Sequence, residues 1–328
     1  MLSKPQPTGP FAATQALAPA KNLSVLEFAA VMEKNIAQAI IGKKETIRYF
    51  LIALLAEGHV LLEDTPGVGK TTLVKALARS LGADFRRIQF TPDVLPSDVT
   101  GTSIYDPAKS QFRYHPGPVM AHMLLADEIN RASPKTQSAL LECMEEGQIT
   151  VDGITHPLPK PFFVMATQNP QEFHGTFPLP ESQLDRFMFS VHLGYPNPEE
   201  ELALLERYRL CQPLDTLSQV FPIAQLPLLQ QKVRHVHVSD PLRLYLVKLV
   251  QTIRSHPEFR LGVSPRGTLA LFRAAQAYTA LEGRDYVLPD DIKILFLPAL
   301  RHRVFLKSGG SPEKLLLEIL DSTPLPIT

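Results

Sequence analysis

Cysteine is scarce in this chain: Cys143 and Cys211 are the only two among 328 residues. So few exclude a disulfide framework or a cysteine zinc ribbon, and they fit a reducing compartment. Cys143 lies in the apolar run ALLECM and reads as a small buried hydrophobe. Net charge is lacking as well, since 33 Lys+Arg balance 33 Asp+Glu for a formal +0. Without a basic excess there is no overall attraction for nucleic acid. No window approaches the ~18 consecutive apolar residues of a membrane-spanning helix. The Pro/Ala-rich start MLSKPQPTGPFAATQALAPAKN lacks the unbroken apolar segment of a secretory signal, so residues 1–22 read as a flexible arm and the expected location is cytoplasmic. No internal repeat is visible.

What is present is an alternation of helical and strand-like segments. The length suggests two domains, because single cores rarely grow past ~250–300 residues. Residues 24–39 and 44–57 have helical spacing, with Ser24 as a plausible N-cap. HVLLED, RRIQF, HMLLADE and FFVMATQN read as buried strands separated by helices, which indicates a parallel sheet with crossovers, and FMFSVHLGYP closes it. Two insertions interrupt the pattern, at 103–119 and at 145–161, the second turning at Asp152-Gly153. Tyr195-Pro196-Asn197-Pro198 marks a boundary. Beyond it residues 198–210, 240–255, 265–282 and 289–303 read as amphipathic helices. The expected fold is α/β: a parallel-sheet core over 23–195 with helices on both faces, then an all-α unit over 196–328.

The stretch LLEDTPGVGKTT sits between a strand and a helix. It matches the phosphate-loop pattern GxxxxGK followed by Ser or Thr, except that Asp64 occupies the first glycine position. In such a loop backbone N–H groups and the next helix N-terminus hold the anion. Thr65, Pro66, Gly67, Val68, Gly69, Lys70, Thr71 and Thr72 are therefore the candidate ATP-binding segment. Lys70 would reach the β/γ-phosphates and the Thr71 hydroxyl would face Mg²⁺. Asp64 precedes the amides, so its side chain can point away. HMLLADEIN ends a strand with two carboxylates: Asp127 to orient the magnesium, Glu128 to polarise the attacking water. Asn169, ending FFVMATQN, could hold that water. Arg186 in LPESQLDRF could neutralise transition-state charge in a neighbouring subunit, and Arg266 in VSPRGTLALFRAA could reach a γ-phosphate. Arg234-His235-Val236-His237 alternates as a strand would. Lys43-Lys44 and Arg86-Arg87 read as solvated basic pairs, and Glu199-Glu200-Glu201 as an acidic first helical turn.

In this order and at strand ends, these features resemble the AAA+ ATPases. LLADEINRASPKTQSALLECMEEGQITVDG and ATQNPQEFHGTFPLPESQLDRF are similar to the MoxR family among them, in which Asp at the Asp64 position is common. The resemblance covers about residues 23–303. It implies a P-loop NTPase core and a helical lid, with Lys70 and Thr71 in Walker A, Asp127 and Glu128 in Walker B, Asn169 as sensor 1, Arg186 as arginine finger and Arg266 as sensor 2. Ile40-Ile41-Gly42 is similar to the adenine-contacting stretch. The 103–119 insertion looks like a helix-2 insert and the 145–161 hairpin like a pre-sensor-1 insertion, as in the clade with magnesium chelatase subunits. The resemblance also implies ATP hydrolysis with Mg²⁺, a homo-oligomeric and most simply hexameric ring, and a chaperone-like role in maturing client proteins or inserting a metal or cofactor. A partner with a von Willebrand factor A domain is implied too. Two other functions fit the scaffold: a nucleic-acid motor or transcriptional regulator, disfavoured by the balanced charge, and a small-molecule P-loop kinase, which has no need of Arg186 or a lid carrying Arg266.

Overall fold

A computed structural model describes residues 23–325 apart from 66, 170–174 and 211. The expected arm over 1–22 lies outside the described residues. Ser24 opens α1 (Val25–Ile36): its hydroxyl accepts the Glu27 amide at 3.1 Å, and the Glu27 carboxylate accepts the Ser24 amide at 2.7 Å. This reciprocal pair satisfies two donors that the first helical turn leaves free. Then come α2 (Lys44–Leu55), β1 (Val60–Glu63), the phosphate-loop segment, α3 (Lys70–Leu81), β2 (Phe85–Gln89) and a short α4 (Pro96–Thr100). The first insertion is an antiparallel hairpin, β3 (Gly101–Asp106) with β4 (Gln111–Pro116). After β5 (Met123–Asp127) and α5 (Pro134–Glu146) the second insertion forms β6 (Gln148–Val151) and β7 (Ile154–Pro157). It turns at Asp152 and Gly153, both with positive φ (49° and 78°), the two-residue turn expected from that dipeptide. β8 (Phe163–Gln168), a single turn α6 (Glu181–Leu184) and β9 (Phe189–Val191) complete this half.

The five long-range strands form one parallel sheet in the order β2-β5-β8-β1-β9. Their side chains alternate between two faces. Val60 and Leu62, Met123 and Leu125, and Phe163 and Met165 face α1, α2 and α3; Leu61, Leu124, Ala126, Val164 and Ala166 face the apolar side of α5. Both faces are covered, which is why the strands read as continuous apolar runs. All the strands end at one edge, and the phosphate-loop segment leaves β1 there.

The remaining chain is mostly helical: α7 (Pro198–Leu210), α8 (Leu226–Arg234), α9 (Asp240–Ser255), α10 (Pro265–Leu281), α11 (Pro289–Leu300) and α12 (Glu313–Ser322), with a small β10 (Phe259–Leu261) and β11 (Phe305–Leu306) pair. Helix α10 packs on α1 and α2, so the apolar core on that sheet face continues into these helices. Glu199, Glu200 and Glu201 fill the first turn of α7 as expected. Three expectations are corrected. Arg234–His237 is not a strand: Arg234 ends helix α8, His235 and Val236 turn, and only His237 makes an isolated bridge, to Tyr286. α11 stops at Leu300, because Arg301–Arg303 turn so that His302 and Arg303 reach buried carbonyls. α12, absent from the sequence reading, buries Leu316, Ile319 and Leu320. Among the described residues no helix is long and apolar enough to cross a membrane.

Candidate functional site

Gly67 and Gly69 carry the chain from β1 into α3 with φ of 89° and 95°. A Cβ placed on either would project into open space. The loop is thus a concave cradle of backbone, in a conformation that side chains resist. α3 begins at Lys70, its N-terminus turned into a cavity of about 360 Å³ lined by residues that include Lys70, Thr71, Thr72, Asp127 and Glu128. The structure therefore brings together the candidates Gly67, Gly69, Lys70, Thr71, Thr72, Asp127 and Glu128. Pro66 lies outside the described residues. Lys70 Nζ donates to the Asp64 carbonyl at 2.9 Å. Burial lowers the Lys70 pKa, opposed by the charges of Asp127, Asp64 and Glu128.

The Asp64 carboxylate faces away from the cradle. It accepts the backbone amides of Leu193 at 2.6 Å and Gly194 at 3.0 Å, just beyond β9. It is 8% exposed, so these bonds satisfy a buried carboxylate and tie the end of β1 to the end of β9. Nearby, Thr65 donates to the Tyr195 hydroxyl at 3.2 Å, and Lys43 donates to the Tyr195 carbonyl at 3.0 Å. The Ile40-Ile41-Gly42 segment, with Ile40 buried, leads into Lys43 and so lies beside the loop.

At the end of β5, Thr167 of β8 bonds the Asp127 carboxylate and the Glu128 backbone. Its hydroxyl donates to Asp127 Oδ1 at 2.6 Å and accepts the Glu128 amide at 2.9 Å. Glu128 adopts a left-handed backbone, φ 56°, which disfavours a side-chain-bearing residue by roughly 1 kcal/mol or more. Its side chain meets Arg131 at 3.2 Å. The other Asp127 oxygen accepts from Arg87 at 2.6 Å. Arg87, read from sequence as a solvated position, is solvent-exposed but also lines the cavity. Asn169 is buried one residue beyond β8 at this same edge of the sheet.

Arg186 and Arg266 are not in this cavity. Arg186 lies just before β9, at the edge where the strands begin, and the Met188 amide bonds the His59 carbonyl there. With four residues of β1 at ~3.3 Å each, that edge is about 13 Å from the loop. Arg186 pairs with Glu145 at 3.1 Å, and Arg266 pairs with the other oxygen of the same carboxylate. Together with Arg273 and Arg303 they line a separate cavity of about 400 Å³. Arg266, whose action in its own or a neighbouring subunit the sequence leaves open, does not face the phosphate loop of its own subunit in this structure. Sequence reasoning missed Thr167, whose place opposite Asp127 follows only from the pairing of β5 with β8, and Glu145, whose partners are distant in the chain. Cys143 is buried as expected, and burial pushes its thiol up to about 12.

Residues 59–189 match the model of the "ATPase family associated with various cellular activities (AAA)", and residues 251–319 match that of an AAA lid domain. The chain is 53% identical to the uncharacterized protein YeaC of Bacillus subtilis over 299 residues, covering 90% of this chain and 93% of that one. It is 41% identical to chaperone MoxR1 of Mycobacterium tuberculosis over 306 residues (89% and 81%), and 34% identical to protein MoxR of Paracoccus denitrificans over 300 (84% and 88%). A crystal structure from Cytophaga hutchinsonii superposes with a TM-score of 0.85 at 37% identity, covering 92% of this chain and 96% of that one. With the glycine cradle before Lys70, the paired carboxylates closing β5 and the helical lid match, these likenesses make the chain a member of the MoxR family of AAA+ ATPases.

Proposed function

We propose that this protein hydrolyses ATP in a homo-oligomeric, most simply hexameric, ring and uses the energy to remodel or mature client proteins in the cytoplasm. Residues 23–195 form the ATPase core and 196–328 the lid. The cradle amides and Lys70 bind the phosphates, and Ile40, Ile41 and Gly42 contact the base. The open cavity offers hard oxygen donors suited to Mg²⁺, the Thr71 hydroxyl and the Asp127 carboxylate. When bound there, the ion would neutralise triphosphate charge. Glu128, held in its left-handed conformation by Thr167, polarises the attacking water, and Asn169 orients it.

The observation that carries the ring reading is the position of Arg186 and Arg266. Both sit on Glu145 at the sheet edge opposite their own phosphate loop. An arginine supplied by another copy can stabilise charge on the transferred phosphoryl group, and the distance of these two from their own loop supports that role. The client role is supported by the name of the chaperone relative and by the insertions. The β3–β4 hairpin exposes Ile104, Tyr105 and Phe112, and the second hairpin exposes Ile154. A partner with a von Willebrand factor A domain, and a client that receives a metal or cofactor, fit the same reading.

Nucleotide titration and steady-state turnover test it together. Lys70→Ala should lose ATP binding, and Arg186→Ala should assemble and bind ATP yet lose turnover. Retained affinity in the first variant, or normal turnover in the second, would overturn the reading.

A further inference from the structure

Arg303, three residues past the end of α11, is 3% exposed. Its Nη2 donates to the carbonyls of Asp185 at 3.1 Å and Phe187 at 2.5 Å, the two residues that flank Arg186. Its Nε lies 3.3 Å from the Asp185 carboxylate. His302 adds a bond from Nε2 to the Phe187 carbonyl at 2.9 Å. Burial and the charge of Arg303 lower the His302 pKa, so the ring is neutral and Nε2 carries the proton.

The same Asp185 carboxylate receives the Ser264 hydroxyl at 2.8–2.9 Å. Ser264 is the N-cap of α10 and accepts the Gly267 amide at 3.0 Å, so Asp185 is bonded to the turn that carries Arg266. Gly267 leaves room for this arrangement: a Cβ there would lie 3.1 Å from Arg303 Cδ and 2.9 Å from a methyl of Val263. A glycine inside a helix is destabilising relative to alanine. The close passage of the Val263 methyl and of the Arg303 stem accounts for it.

A buried guanidinium is a poor way to gain stability alone. Desolvation is costly, and apolar side chains of similar volume often serve as well or better. Arg303 Nε and Nη1 have no hydrogen-bond partner among the described residues, the Nε contact with Asp185 being an ion pair only, which adds to that cost. What an apolar residue could not do is hold the carbonyls on both sides of Arg186 while pairing with Asp185.

We propose that Arg303 is a positioning residue, which locks the Arg186 backbone and the first turn of α10 into one unit so that Arg186 and Arg266 are presented together to the neighbouring subunit's nucleotide. This rests on the proposed action of Arg186 across subunits. Arg303 touches no nucleotide itself.

Full-length variants, alone and mixed, test it. Arg303→Met should keep ATP affinity within about twofold while kcat falls on the order of 10–100-fold, as for a slightly misplaced group at the reacting phosphate. Arg303→Lys, which keeps the charge and one donor nitrogen, should fall between. Arg303→Met subunits retain an intact phosphate site, and Glu128→Gln subunits retain an intact arginine pair. Mixing the two should therefore restore hydrolysis. Arg186→Ala mixed with Glu128→Gln runs in parallel. If that control is not rescued, the cross-subunit reading fails, and this proposal with it. If the control is rescued but folded Arg303→Met is not, or if Arg303→Met alone turns over normally, the positioning role is overturned while the cross-subunit reading stands. Should Arg303→Met fail to fold, Gly267→Ala presses on Val263 and on the same stem with the guanidinium retained. It should show the same loss of kcat and the same rescue, and normal kcat there would overturn the proposal.

Discussion

Thr167 donates its hydroxyl to the Asp127 carboxylate at 2.6 Å across the β5–β8 pair, and the same oxygen takes the amide of Glu128. One side chain thus ties the Asp127 carboxylate to the backbone of Glu128, at the end of β5. Thr167→Val keeps the shape and removes both bonds. Turnover is expected to fall by about tenfold or more, in the range of lost acid–base positioning, while ATP affinity changes little. Stability should drop by ~1–3 kcal/mol, because the Glu128 amide loses its partner. Steady-state kinetics beside urea unfolding separate the two effects; unchanged kcat would remove Thr167 from the site.

Asp64 occupies a position where the general phosphate-loop pattern has glycine, yet its carboxylate bonds the amides of Leu193 and Gly194 and leaves the cradle free. Asp64→Gly is expected to cost about 2–3 kcal/mol in unfolding free energy, as for a buried charged acceptor taken from two donors. It should also weaken ATP binding, by loosening the end of β1. A variant with unaltered affinity and stability would show that the bonds are incidental.

Arg266 lies with Glu145 and away from its own phosphate loop. Arg266→Ala is therefore expected to leave ATP affinity within about twofold while turnover drops by on the order of 10² or more, as for an arginine that acts on the transferred phosphoryl group. Equilibrium nucleotide titration decides the matter. A large loss of affinity in dilute, unassembled protein would place Arg266 over the site of its own subunit.

His59 is buried at the start of β1, with Nδ1 accepting the Val164 amide at 3.1 Å and Nε2 facing the Met144 carbonyl at 3.2 Å. Burial lowers its pKa from 6.5 to about 4. Between those values the unfolded chain binds a proton that the folded chain refuses. The contribution is fully present above pH 6.5 and shrinks as pH falls toward 4, by ~1.4 kcal/mol per unit. His302 shifts in the same direction and adds to the slope. Urea unfolding at pH 7 and pH 5 should show lower stability at pH 5. His59→Gln, which can still accept from Val164 and donate to Met144, should flatten the difference; an unchanged slope would contradict the assignment.

Local signals in the sequence were readable where a single segment carries the physics. Ser24 with Glu27, Asp152-Gly153, the glycines before Lys70 and the apolar strands ending at Asp127 all act over a few residues, and each appears as expected. The misses involve distance along the chain. Thr167 gains its role only when β8 pairs with β5. Glu145 meets Arg186 at a separation of 41 positions, and Arg303 meets the residues flanking Arg186 at 116 or more; no periodicity encodes such a meeting. Arg301–Arg303 continue the pattern of α11, yet two buried carbonyl contacts near Arg186 outweigh another helical turn. Whether Arg266 serves its own subunit or the next also lay beyond the sequence, because the answer is a matter of which edge of the sheet it occupies.

The most direct test of hydrolysis at this site compares phosphate release and ATP retention in Glu128→Gln and the unaltered protein. Glu128→Gln is expected to bind ATP with unchanged affinity and hold it, with phosphate release slowed by at least about 10²-fold, the scale of a lost general base. Release at the unaltered rate would contradict the role of Glu128 and the mechanism built on it.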